Sequence, residues 1–175
     1  MKAEKTNKGL RIWTWALFII YLLLLVWAIL FKFGMNLPLH FGRGIYRSPI
    51  NLVPFGAPML SGGRIDWTEM IFNVLAFFPL GLFLSLLGLP RRAWMRVLIG
   101  LLVSAAFEAL QYAFALGSCD VTDVILNTVG TALGVAAYYL IKLPLKAKTE
   151  KAVDIAVTAL ALLFIAFYAV QYFAR

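Results

Sequence analysis

The chain is poor in charge and almost devoid of the side chains that most often build reactive or metal centres. Cys119 is its single cysteine, which excludes an internal disulfide. His40 is its single histidine, which excludes a multi-histidine metal site. Only 14% of the 175 residues are charged and 63% are hydrophobic, too little polar surface to keep a domain of this length in water. With 8 acidic residues in all, a carboxylate placed inside an apolar run is a rare commitment. The mean hydropathy of +0.89 belongs to a polytopic membrane protein. The 16 basic residues give a net charge of +8. They sit dispersed at the ends of apolar runs, not along one stripe, which fits an anionic leaflet and argues against nucleic acid.

Five apolar runs reach the length needed to cross a hydrocarbon core: Ile12–Phe33, Met70–Leu89, Val97–Leu116, Asp123–Ile141 and Val153–Phe173. The first is longer than a secretory-signal core and no small-x-small site follows it, so an uncleaved first helix is expected. The expectation is an all-α polytopic membrane protein of about five transmembrane helices, forming a single domain over 1–175. The basic residues set its orientation. Lys2, Lys5, Lys8 and Arg11, then Arg91, Arg92 and Arg96, then Lys142, Lys146, Lys148 and Lys151 fall on one side. By the positive-inside rule that side is the cytoplasm, with the N-terminus inside and the C-terminus outside. The long connection at about 34–65 is then extracytoplasmic. Pro38, Pro49, Pro54 and Pro58 and the Gly42-Arg43-Gly44 and Ser61-Gly62-Gly63 turns break helix there, while its many apolar residues predict that it lies on the outer interface.

The polar residues within the runs fall on single helical faces. Ser104, Glu108 and Gln111 share one face of the third run, which places Glu108 about 12 Å from the outer end at 1.5 Å per residue. Asp120, Asp123, Asn127, Gly130 and Gly134 share a face of the fourth. Asp120 and Asp123 also resemble a capping box, and capping accounts for one of the two carboxylates. Gly130-xxx-Gly134 permits a close neighbour, expected to be the third helix. Asn73, Phe77, Gly81 and Ser85 share a face of the second. Asn73, Glu108 with Gln111, and Asp120 with Asp123 and Asn127 all come level with the same leaflet. Interhelical hydrogen bonding is the bland explanation for each; their convergence favours a site. In the outer segment, Arg47 and Asn51 are candidates to pair with these carboxylates or grip a phosphate. The first and fifth helices, Asp154 included, read as scaffolding.

The ordered pattern Arg47…Asn51-Leu-Val-Pro54-Phe55, Asn73-x5-Pro-Leu-Gly81, Glu108-x2-Gln111 and Asp120-x2-Asp123-x3-Asn127-x2-Gly130-x3-Gly134 resembles the VanZ-like family. The motifs span about Arg47 to Gly134, within a core of about 43–141. The stretch before the Asp-x-x-Asp element is Gly117-Ser118-Cys119, where the family often has an arginine or an aromatic. The resemblance implies a bacterial integral membrane protein related to one that lowers susceptibility to the glycopeptide teicoplanin.

Three functions follow as expectations. The first is a polar outer-leaflet pocket binding or acting on a lipid-linked cell-envelope component or a glycopeptide-related ligand, with Arg47, Asn51, Asn73, Glu108, Gln111, Asp120, Asp123 and Asn127 as its ligand-binding residues. The second is an enzyme in which Glu108 and Asp123 serve as general acid and base on a phospholipid or undecaprenyl-linked substrate. No Ser–His or Cys–His pairing suggests a nucleophile. The third is a small carrier, disfavoured because the inner halves of the second to fourth helices look dry. Membrane lipids are the expected partners, nucleic acid is not, and no cofactor or metal is expected.

Overall fold

The computed structural model describes residues 8–31, 50–56, 60–61, 64–65, 67–114, 119–145, 148–149 and 151–158. Four helices dominate: α1 (Lys8–Phe31), α2 (Trp67–Leu86), α3 (Ala93–Ala113) and α4 (Val121–Leu145). Each is long and apolar enough to cross a membrane. A fifth helical stretch occupies 151–158, the start of the expected fifth span; the rest of that span lies outside the described residues. Two short strand pairings join the helices. β1 (Ile50–Asn51) pairs in parallel with β4 (Cys119–Asp120), Ile50 opposite Cys119 and Asn51 opposite Asp120. β2 (Leu60–Ser61) pairs antiparallel with β3 (Arg64–Ile65).

The second helix ends earlier than its apolar run predicts, and its backbone supplies the reason. Gly88 takes φ +68, its N–H donates to Ser85 O at 3.2 Å, and the Leu89 N–H donates to Leu84 O at 3.0 Å. This glycine-terminated motif satisfies two of the last carbonyls and turns the chain out of the helix. Pro90 follows, and α3 begins at Ala93.

Lipid tails are as apolar as leucine, so helices in a bilayer gain little by hiding apolar surface from lipid. Close packing and interhelical hydrogen bonds hold them instead. The tightest seam joins α2 to α4, which run side by side in the same sense. A methyl at Gly130 would overlap the Val74 carbonyl, one at Gly134 the Phe78 carbonyl, and one at Gly81 the Thr131 carbonyl. The α4 glycines therefore meet α2 and not α3, contrary to the expectation from their spacing. The approach to α3 uses a different glycine, Gly100, which faces the Thr131 side chain. Phe77, Leu80 and Phe83 of α2 are buried with Leu17 and Leu25 of α1 and Phe107 of α3. The Phe77 and Phe107 rings meet edge to face at 6.2 Å, and Tyr21 donates to the Ala76 carbonyl at 2.7 Å.

Candidate functional site

The N-termini of α2 and α4 and the C-terminus of α3 come together at one end of this bundle, and the rare carboxylates collect there. Asp120 sits just before α4 and caps it, Oδ1 accepting from the Thr122 N–H at 2.8 Å. Its other oxygen is committed elsewhere: Oδ2 accepts from Asn51 Nδ2 at 3.0 Å, across the β1–β4 pairing. The Asp120 N–H donates to Glu108 Oε2 at 2.7 Å. A capping box would have Asp123 reach back to that N–H; the carboxylate of another helix does so instead. Asp123 is released to accept from Asn73 Nδ2 at 2.6 Å, tying α4 to α2. Relative exposures of 7% for Asn73, 4% for Glu108 and Asp120 and 8% for Asp123 bury these four side chains, while Asn51 is partly exposed. Two helix N-termini offer partial positive charge to this knot, which explains in part why acids are tolerated there.

Residues 50–56 fold onto this knot. Asn51 holds a turn, its Oδ1 accepting from the Val53 N–H at 3.1 Å, and Gly56 N–H closes it on Val53 O at 3.1 Å. Phe55 takes φ 56, a left-handed conformation that costs a non-glycine residue about 1 kcal/mol. Its N–H donates to the fully buried Thr122 Oγ1 at 2.9 Å, which pins the turn over the start of α4. Thr122 was legible in the sequence only as a spacer between two aspartates, yet it is the residue on which this segment docks.

The candidates thus divide. Asn51 and Glu108 bond Asp120, and Asn73 bonds Asp123 three residues along the chain, so these five meet at the start of α4. Asn127 lies a turn deeper on α4, at 1% exposure, and donates from Nδ2 to Ser104 Oγ at 2.8 Å. Its Oδ1 is buried without a hydrogen-bond partner. Gln111 turns the other way and donates to the Ile29 carbonyl of α1 at 2.9 Å, so its bond serves the α1–α3 contact. Arg47, like Arg43 and His40, lies outside the described residues. Among the described residues, no three histidine, cysteine or carboxylate side chains are grouped to hold a metal ion.

Cys119 is the neighbour that spacing did not single out. It is half-buried, and burial pushes its thiol pKa up; the negative charges of Glu108, Asp120 and Asp123 and a hydrogen bond to Glu108 raise it further.

The other end of the bundle holds polar groups that the sequence placed in scaffolding or in a loop. Thr14 of α1, at 0% exposure, donates to Asp154 Oδ2 at 2.7 Å and lies 3.0 Å from Leu10 O. Arg96 is buried in the first turn of α3, where it bonds the Pro90 carbonyl at 2.9 Å, the Arg91 carbonyl at 3.3 Å and Tyr139 Oη at 3.1 Å. At this end Ser85 and Arg96 are buried polar side chains as well.

Apolar helices packed by glycine and tied by buried polar side chains make this a multi-pass integral membrane protein. The chain belongs to the VanZ/LLP1 family, whose model matches residues 18–142. That match begins inside α1 and takes in every member of the polar knot. The chain is also similar to Protein VanZ of Enterococcus faecium, 40% identical over 126 residues that cover 69% of this chain and 70% of that protein. No solved structure matches it.

Proposed function

We propose that the polar knot is the floor of a site at the extracytoplasmic face which holds the polar headgroup of a lipid-linked cell-envelope component, and that this activity bears on teicoplanin-type glycopeptide susceptibility. The observation that carries the reading is that Asn51 and Glu108 bond Asp120, and Asn73 bonds Asp123, so that polar groups from four separate segments meet at the start of α4. Capping accounts for one oxygen of Asp120 and no more. A lipid-embedded chain with so few acids has a cheaper way to pack helices, so the cost favours a task. The partnerless Asn127 oxygen beneath the knot supports a site that a donor group, water or ligand, completes. Orientation is part of the proposal: the dispersed lysines and arginines put the opposite end in the cytoplasm, with the N-terminus inside and the C-terminus outside.

Glu108→Gln tests the site, because it keeps shape and hydrogen bonding while removing charge. Expression of the unaltered protein in a susceptible host is expected to lower teicoplanin susceptibility, and Glu108→Gln to abolish the effect at equal membrane abundance. Unchanged susceptibility with the unaltered protein, or full activity of the variant, defeats the reading. A cleaved or transferred lipid product that appears with the unaltered protein and not with Glu108→Gln would assign Glu108 to an enzyme instead. For orientation, impermeant thiol labelling of whole cells in a Cys119→Ala background should modify Ser61→Cys and spare Lys148→Cys; the reverse pattern inverts the topology.

A further inference from the structure

The opposite end of the bundle carries a feature the polar knot does not explain: a buried, structured arginine underneath two exposed ones. Arg96 is 4% exposed, and its three hydrogen bonds go to neutral acceptors, two of them carbonyls of the Pro90–Arg91 turn. The Tyr139 ring adds a further neutral contact, 5.9 Å from the guanidinium carbon. None of these partners cancels its positive charge, and a buried uncancelled charge is costly. What Arg96 does achieve is to fasten the α2–α3 turn from below, with both turn carbonyls drawn inward. Arg91 and Arg92 are thereby left on the exposed rim. Beside them Trp94 is 59% exposed and Leu89 46% exposed, an aromatic and an aliphatic side chain at the height where a bundle of this kind leaves hydrocarbon.

We propose that the α2–α3 turn is a binding site for the phosphate of an anionic phospholipid headgroup, with Arg91 and Arg92 as its ligands and Arg96 as the residue that positions them. Guanidinium groups match phosphate oxygens two at a time, and paired arginines on a held turn make that match without ordering a loose loop. Leu89 and Trp94 lie along the acyl chains. Arg96 adds charge behind the ligands, in a low-dielectric setting where water screens it poorly. Other cations lie at this end, Lys148 and Lys151 among them, and both are exposed. The proposal is independent of the polar knot and of its ligand.

The test uses the purified full-length protein in detergent, with bound lipid counted by native mass spectrometry after exposure to equimolar phosphatidylglycerol and phosphatidylcholine. The unaltered protein is expected to retain phosphatidylglycerol preferentially. Arg91→Gln with Arg92→Gln should weaken that retention about twenty-five-fold, at about fivefold per arginine near an anionic headgroup. Lys148→Gln with Lys151→Gln removes the same charge from the same end and should change it little. No preference in the unaltered protein, or no loss in the double arginine variant, overturns the site. Equal loss in the double lysine variant overturns it too, because the attraction is then diffuse. Inorganic phosphate supplies the last arm: if it raises the thermal midpoint through Arg91 and Arg92 while phosphatidylglycerol shows no preference, the site takes free phosphate and the lipid assignment falls.

Discussion

The two ends of the bundle handle charge in opposite ways. At one end, acids are drawn inside: Glu108, Asp120 and Asp123 are all buried, and amides and backbone N–H groups from other segments satisfy them. At the other, the bases face outward on Arg91, Arg92, Lys148 and Lys151, and the buried Arg96 serves the turn beneath them. The difference follows from helix direction. Two helices present their N-termini, with unpaired N–H groups, to the acidic end, whereas α2 and α4 present carbonyls to the basic one. Buried acids knit segments together; exposed bases meet whatever surrounds the protein.

Breaking the seam between the two ends should have the largest effect. Gly134→Val pushes its side chain into the Phe78 carbonyl and should cost about 3 kcal/mol or prevent folding, read as a fall in thermal midpoint in detergent. A valine variant as stable as the original would mean that α2 and α4 are not in backbone contact. Next come Asp123 and Asp154, buried aspartates at opposite ends. Asp123→Ala strands the Asn73 amide and should cost about 1–3 kcal/mol. Removing the Thr14–Asp154 bond should matter less, since the Thr14 hydroxyl has the Leu10 carbonyl within reach; a Thr14→Val, Asp154→Ala double-mutant cycle should return a coupling of about 0.6 kcal/mol. Equal costs at the two ends would remove the contrast.

The smallest effect is a pH profile. Burial and the three carboxylates hold Cys119 as the neutral thiol. The native protein therefore binds this proton more tightly than the unfolded chain, and the stabilising contribution is intact below the ordinary thiol range and lost as pH rises through the higher native value. Maleimide labelling of Cys119 should lag behind an exposed cysteine at pH 8 and accelerate only at more alkaline pH. Glu108→Gln should move that acceleration to lower pH. An unshifted profile would separate Glu108 from the sulfur.

Helix faces were readable from period alone. Ser104, Glu108 and Gln111, and likewise Asp123, Asn127, Gly130 and Gly134, are buried together on their helices, as a 3.6-residue repeat requires. Partners were not readable, because a repeat says which residues share a face and nothing about which helix covers it. Gly130 and Gly134 illustrate the limit, and so does Gln111, whose spacing from Glu108 suggested a joint role although its bond goes to α1. Thr14 and Asp154 carried no local signal at all: they are 140 residues apart and meaningful only as a pair.

From the amino-acid order alone came the apolar helices, the faces that bury polar groups and the family motifs, because hydropathy and helical period are local properties of the chain. Tertiary structure alone decided that Glu108 completes the cap of α4, that Asn73 receives Asp123, and that Arg96 braces the turn between α2 and α3. Each is a contact between segments whose separation along the chain says nothing of their distance in space, and only packing of the helices against one another brings donor to acceptor.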